Sequence, residues 1–467
     1  LLLAASYYFY MCWRIEYTLM LIFITVLDYW AALEMVKHPA GSLRRKVPLL
    51  VSLIGNLGLL FTFKYWNFFN ETVTAVLARL NLSYHAPVLG MLLPVGISFH
   101  TFQSVSYNID VYRGKVPPER HFGVFTLFVA YFPQLVAGPI ERASHILHQL
   151  RESHAFDYAR VVRGLQLATW GMFKKVVVAD RLAVVANSVY NDLPGHSPAH
   201  AVIATVFFAF QIYCDFSGYT DIARGSAEVL GVQLVRNFDR PYFSASIGEF
   251  WRRWHISLSS WFRDYVYLPL GGNRVAVPHW LFNLFLTFLV SGLWHGARWT
   301  FVMWGALNGL YLIAEILLSR PAAAAAKALR LDRVPYLRRG FGIPLTFALT
   351  CFAWIFFRAN SLEDALTVAR LVPEGLASLA APLLRLDLVG LYGQLRGIGL
   401  QQEEFVLAFA SIAVLLGVDA LGVRHDLRGL VARQPWPLRW AVYYTSIAVI
   451  LLFGAFNSAQ QFIYFQF

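Results

Sequence analysis

Apolar runs long enough to cross a bilayer recur from one end of the chain to the other, separated by short polar loops. Residues 1–12 and 15–36 form the first two, the second ending at KHPAGSLRRK. Lys37, Arg44, Arg45 and Lys46 place that loop in the cytoplasm, because basic loops stay inside. Residues 48–69 return across the membrane, and 70–87, with a single arginine, fit the outer side. The next run, LPVGISFHTFQSVSYNIDVYRG at 93–114, is apolar but studded with polar groups, His100 among them. Such side chains face a bundle interior or a cavity, since lipid offers them no partner; helix-to-helix hydrogen bonding accounts for them as well as a pocket does. FPQLVAGPIER at 132–142 is too short to span and carries two prolines and a glycine, which predicts a re-entrant or broken segment.

Further spans are predicted at 161–190 and 199–232, joined by an outer loop without Lys or Arg. The second holds Asp215 and Asp221, each costing about 2.5–3.5 kcal/mol at mid-bilayer, so both must be paired, protonated or facing water. Arg224 and Arg236 are near enough in sequence to serve as partners. Beyond the central stretch come a span at 299–319, a basic alanine-rich cytoplasmic linker, a span at 343–358 and a mixed outer region at 359–402. Spans at 404–421 and 440–458 then leave the tail outside. The pattern predicts an all-α polytopic membrane bundle of about eleven crossings plus re-entrant and interfacial pieces, in one domain over 1–467.

The chain is organised around 244–299, SASIGEFWRRWHISLSSWFRDYVYLPLGGNR followed by an apolar run and SGLWHGARW. At the helical period Phe250, Trp251, Trp254, Leu258, Trp261, Phe262 and Tyr265 share one face, with Arg252, Ser259 and Arg263 opposite. Ser246 and Glu249 read as a capping box, and Pro269-Leu-Gly-Gly as the stop. One helix over 246–265, lying at the cytoplasmic membrane surface, is the expectation, with His255 at the rim of its aromatic face beside Phe262.

Composition agrees with the pattern: 58% hydrophobic, 14% charged, mean hydropathy +0.52. The formal charge of +12 is scattered through short loops, which is the positive-inside signal and not a nucleic-acid surface. Cys12, Cys214 and Cys351 lie in separate apolar stretches, and their spacing supports neither a disulfide framework nor a metal site. The chain opens at Leu1 inside an apolar run, with no charged segment before it, which reads as a chain lacking its initiating residues. No serine-hydrolase elbow, zinc-helix, P-loop or dinucleotide fingerprint occurs, and the glycines of 388–399 miss the required spacing.

Chemistry narrows to two histidines. His295 lies between glycines, with Arg298 within one turn, so a substrate can approach an imidazole that takes a proton near neutrality. A lone intramembrane histidine also serves as a hydrogen-bonded core residue. His255 suits interfacial packing, while Arg252 and Arg253 suit lipid phosphate.

FPQLVAGPIER, FQIYCDFSGYTDIARG, the long central motif, SGLWHGARWTFVMWGALNG and the terminal FIYFQF together resemble the membrane-bound O-acyltransferase (MBOAT) family over nearly the whole chain. More closely they are similar to its bacterial alginate O-acetyltransferase branch, related to peptidoglycan O-acetylation and teichoic-acid D-alanylation proteins. The resemblance implies a ring-shaped helical bundle, thin at its centre, with a tunnel joining the two membrane faces. It implies that His295 is the catalytic histidine and His255 a second important one. It also implies an acetyl-CoA or acyl-carrier thioester as donor, no bound cofactor or metal, and a bacterial inner-membrane location. The expected activity is acetyl transfer from the cytoplasm to an exported polysaccharide such as alginate, through a partner acyltransferase outside. Peptidoglycan or teichoic acid is the alternative acceptor.

On this reading Arg252, Arg253 and Asp264 shape the donor mouth, while Asp215, Asp221 and His100 line the tunnel. Tyr464 fits the F-x-Y-x-x-F pattern associated with carrying the acyl group, and Phe462 and Phe467 would dock that tail. The rival from another class is a transporter or flippase in which Asp215, Asp221, His100 and His295 line a substrate or proton path. Internal duplication would favour it, and none is visible in the chain.

Overall fold

The computed structural model describes residues 1–84, 86–90, 92–136, 138–328, 334–423, 425–458 and 461–463. Helices are the only regular elements among them. Eight are long and apolar enough to cross a membrane, including Glu16–Met35, Pro198–Val229, Val277–His295, Gln402–Leu421 and Trp436–Phe453, so the protein is a multi-pass membrane protein. The run expected to leave the membrane near 69 stays helical to Arg79, because NETVTAVLAR contains neither proline nor glycine to stop it. The chain folds into two compact units.

The first unit comprises Leu1–Gly164 and Ala223–Arg236. Its core packs Leu21, Met35, Tyr107, Phe125, Phe128, Tyr131 and Ile146. The polar run expected at 93–114 is helix Ile97–Tyr112, and its polar residues are buried in protein. Among them Asn108 joins a knot around buried Asp28, which accepts from Ser52 Oγ at 2.6 Å, Asn56 Nδ2 at 2.9 Å and Asn108 Nδ2 at 2.9 Å. His100 Nε2 meets the carbonyl of Leu135 at 2.9 Å, within the expected broken segment: helix Phe132–Leu135 ends there, and the next helix is Ala143–Arg151. Gly96, at φ 78°, makes the turn before Ile97–Tyr112, and a Cβ there would lie 2.9 Å from His100 Nε2.

The second unit comprises Leu165–Ile222 and Asn237–Phe467. Its interior is aromatic: Phe208, Phe216, Phe250, Trp254, Trp304 and Trp354 are among the largest fully buried side chains. The expected single helix over 246–265 is a correction. Helix Ile247–Arg253 stops, His255 takes a left-handed conformation at φ 43°, and helix Ile256–Phe262 restarts before a π-helical turn at Arg263–Tyr267. Two short helices around one kink keep the aromatic residues on a common side, so the periodicity did not reveal the break. Those aromatics face protein and not lipid: Phe250, Trp251, Trp254, Trp261 and Phe262 are buried. Arg252 and Arg263 are exposed, as the pattern predicts. Ser246 caps the first helix by accepting from Glu249 N at 3.2 Å, and Glu249 Oε2 reaches back one residue further, to Ala245 N at 2.8 Å.

Candidate active site

His295 is the last residue of helix Val277–His295, and Gly296 begins the turn into helix Trp299–Ala328. The two helices pack closely where Gly292 meets Gly305; a Cβ on Gly292 would lie 3.0 Å from Gly305 Cα. That approach fixes the end of the first helix against the start of the second and leaves the imidazole buried in an aromatic box. Ring centroids lie 4.9 Å away for Trp294, 5.0 Å for Trp304 and 5.3 Å for Phe357, all near edge-to-face. Trp304 stacks on Trp354 at 5.8 Å, and Trp354 meets Trp254 at 5.1 Å, so the box is continuous with the kinked segment. Rings on several sides exclude water from the imidazole.

His255 sits in the kink, fully buried, and not at a rim. Its ring is 6.3 Å from Trp294, the residue that also packs on His295. One indole therefore lies against both histidines. Burial pushes the His255 imidazole down to about 3, so it is neutral at physiological pH. Phe216 meets the His255 ring at 4.7 Å, and Nδ1 lies 3.0 Å from Asn237 Oδ1.

The two carboxylates expected in the span are ion-paired. Asp215 Oδ1 is 2.7 Å from Lys175 Nζ, which also meets Asp180 at 2.8 Å, and Asp221 Oδ2 is 2.6 Å from Lys174 Nζ. Both lysines come from the π-helical turn Phe173–Ala179, whose widened backbone carries neighbours in sequence to successive carboxylates one turn and more apart. The adjacent lysines are partners that proximity in sequence, which brought forward Arg224 and Arg236, did not suggest. Asp215 has a further contact: its Oδ2 accepts the N–H of Ile463 at 2.7 Å. Phe462, beside it, is buried against Tyr219 at 4.8 Å and Phe216 at 6.2 Å. Phe462 and His255 thus flank the same phenylalanine. Tyr464 and Phe467 lie outside the described residues.

Of the expected mouth residues, Arg253 pairs with Glu249 at 2.7 Å, Asp264 pairs with Arg263 at 2.8 Å, and Arg252 is exposed. His100 belongs to the first unit, where it serves the Gly96 turn and Leu135. Among the described residues no group of three or more His, Cys, Asp or Glu could hold a metal. Sequence reasoning missed Asn237, Lys174, Lys175, Trp304 and Phe357. The adjacent lysines in an apolar run, opposite a run with two aspartates, were the available signal for one pair of these; the aromatics carried none in so aromatic a chain.

The profile of the MBOAT, membrane-bound O-acyltransferase family, matches residues 17–340. The probable alginate O-acetylase AlgI of Azotobacter vinelandii is 39% identical over 366 residues, covering 78% of this chain and 70% of its own. That of Pseudomonas putida is 36% identical over 491 residues, covering 100% of this chain and 94% of its own. The peptidoglycan O-acetyltransferase of Helicobacter pylori is 36% identical over 397 residues, covering 79% and 72%. A histidine boxed by aromatic rings at the end of an apolar helix is therefore set in a chain that matches acyl-transferring relatives along its length: the chain belongs to the membrane-bound O-acyltransferase family.

Proposed function

We propose that this O-acyltransferase takes an acetyl group from a cytoplasmic thioester, acetyl-CoA or an acyl carrier, and passes it across the bacterial inner membrane for O-acetylation of an exported polysaccharide of the alginate type. The observation that carries the reading is the buried histidine pair sharing Trp294, in a chain similar over its whole length to a probable alginate O-acetylase. The likeness to a peptidoglycan O-acetyltransferase supports peptidoglycan as the second acceptor, with the same chemistry.

His295 is the general base. It takes the proton of an attacking hydroxyl, the hydroxyl oxygen forms a bond to the thioester carbonyl carbon, and the C–S bond breaks. The proton then passes from the imidazolium to the departing thiolate, so the base is restored and a free thiol leaves. The aromatic box limits hydrolysis of the acyl group. Exposed Arg252, with Arg253 and Asp264, forms the donor mouth, and scattered basic charge attracts donor phosphates.

Tyr464 is the attacking hydroxyl on this reading. Its support is the fixed position of its neighbours: Phe462 is buried, and the N–H of Ile463 is held by Asp215. A phenol needs a base to attack, its ordinary pKa being near 10, and its anion leaves more readily than an alkoxide. An extracytoplasmic partner transferase then moves acetyl from the aryl ester to a polymer hydroxyl, whose proton returns to the phenolate. The test is labelled acetyl-CoA with purified protein in detergent, followed by mass analysis of the C-terminal peptide. Wild type gains one acetyl on Tyr464; Tyr464→Phe gains none, and cells carrying it export polymer without O-acetyl groups. Normally acetylated polymer from that variant would remove the tail from the mechanism.

A further inference from the structure

Asn237 is a buried polar residue in direct contact with His255. It is fully buried, and its Oδ1 receives three groups: His255 Nδ1 at 3.0 Å, Ser257 N at 3.2 Å and Ser257 Oγ at 2.9 Å. Its backbone carbonyl accepts the N–H of Ile256 at 2.9 Å, and the N–H of Asp239 reaches the carbonyl of Arg253 at 2.9 Å. The strand-like pairing of 237–239 with 253–256 thus brackets the kink at His255. Restarting a helix after a left-handed residue leaves its first N–H groups without intrahelical partners, and the Asn237 side chain and backbone supply acceptors for two of them.

The same bonds decide which nitrogen of His255 carries hydrogen. A backbone N–H donates in every protonation state, so the Asn237 atom facing Ser257 N is the amide oxygen and not the NH₂ group. An amide oxygen only accepts. The ring nitrogen 3.0 Å from it therefore donates, which puts the hydrogen on Nδ1 and the lone pair of the neutral ring on Nε2. The ring cannot easily turn away from this arrangement, since His255 is held in left-handed backbone and packed between Phe216 and Phe238.

We propose that Asn237 is a positioning residue for acyl transfer: it locks His255 in the Nδ1–H tautomer, so that Nε2 is presented as a hydrogen-bond acceptor to orient the attacking hydroxyl. The orienting role rests on the acyl-transfer reading; the tautomer does not. His255 complements His295, since an imidazole that stays neutral orients the hydroxyl while the other accepts its proton.

The experiment is nitrogen NMR on full-length protein with ¹⁵N-labelled histidine in detergent, the His255 signals being assigned by their loss in His255→Gln. The expected spectrum shows a protonated Nδ1 and an unprotonated Nε2 at neutral pH. A proton on Nε2, or a mixture of tautomers, overturns the proposal with no variant of Asn237 needed. Activity follows in two variants. Asn237 Nδ2 makes no hydrogen bond among the described residues, so Asn237→Asp keeps every acceptor in place and should keep hydrogen on Nδ1, while the new carboxylate raises the pKa of the ring, a shift the ¹⁵N spectrum reports, and kcat falls less than in the apolar variant. Asn237→Leu removes the acceptor and should lower kcat roughly 10- to 100-fold, the range for losing a partner that orients a histidine, with KM for acetyl-CoA unchanged. Equal losses in both variants, or wild-type kcat in Asn237→Leu, would count against it. Failure of the acyl-transfer reading reads differently: wild type then transfers no label while the His255 tautomer stays as expected.

Discussion

At the scale of single residues, the environment of His295 sets how it should be tested. Its ring packs on Trp294, Trp304 and Phe357, so truncation to alanine opens a cavity as well as removing the base. Glutamine keeps a polar side chain of similar reach and cannot serve as a base at neutral pH. His295→Gln should express and unfold near the wild-type temperature while acetyl transfer falls by about 10²–10⁴-fold, the range for general-base catalysis. Full donor turnover by this variant in the labelled assay would end the base assignment; a collapse of thermal stability would make His295 a core residue. His295 was legible in the sequence because glycines and an apolar run isolate it, and His255 because it interrupts an aromatic run. Asn237 was not, since a polar residue in a loop 18 positions from His255 has no periodic relation to it. Trp304 and Phe357 were hidden for the opposite reason: in a chain that is 16% aromatic, no single ring stands out.

Among the elements, some helix ends were read well and others were not: the span expected to stop at 319, before Arg320 and Pro321, runs on as helix Trp299–Ala328. Glu16–Met35 and Gln402–Leu421 lie where the pattern puts them, while Trp436–Phe453 begins and ends four to five residues before the expected 440–458. The kink at His255 was not readable, because it depends on acceptors supplied from 237–239 and leaves the aromatic periodicity intact. The lysine–aspartate pairs were half legible: the carboxylates demanded partners, but a π-helical turn decides which cations arrive. The helix pair that carries His295 offers a direct test. Gly292 and Gly305 pack so closely that a methyl on Gly292 must push the helices apart. Gly292→Ala should lower stability by about 1–3 kcal/mol, the cost of overpacking, measured by thermal unfolding in detergent. It should also lower kcat, because His295 lies three residues further along the same helix. Wild-type stability and rate in this variant would mean that the close approach does not position the histidine. The segment after the kink has its own test. Arg263 is exposed while the aromatics beside it are buried in protein, and the expected cytoplasmic side of this segment is open to a direct test. Arg263→Cys should react with an impermeant thiol reagent added from the cytoplasmic side only; labelling from outside would reverse the donor-side assignment.

Across the whole molecule, the second unit ties distant parts of the chain to one helix. Asp215 is the centre of that arrangement. A carboxylate inside a span is costly, and the cation that pairs with it, Lys175, is shared with a second carboxylate, Asp180. The other oxygen of Asp215 accepts the N–H of a residue near the C-terminal end of the sequence, Ile463, while Arg181 donates to the carbonyl of Phe453 at 2.8 Å and Ala455 N donates to that of Val176 at 2.8 Å. The segment from 453 to 463 is therefore fastened at both ends to the elements that carry the lysines and Asp215. If fastening matters to catalysis, releasing the far end should free the tail without unfolding the helices. Asp215→Asn retains an acceptor for Ile463 N–H and removes a charge from the lysine cluster; Asp215→Leu removes both. In an Ile463→Cys background with the three native cysteines replaced, the thiol is buried and should resist a maleimide reagent. Labelling should stay slow with Asp215→Asn and rise at least about tenfold with Asp215→Leu, the change expected from losing a hydrogen bond to a charged group worth about 1.5–3 kcal/mol. Acetyl on the C-terminal peptide should fall in the same order. Fast labelling with unchanged tail acetylation would show that the latch exists but does not serve the reaction, and slow labelling in all three proteins would show that Phe462, packed on Tyr219, holds the tail without Asp215.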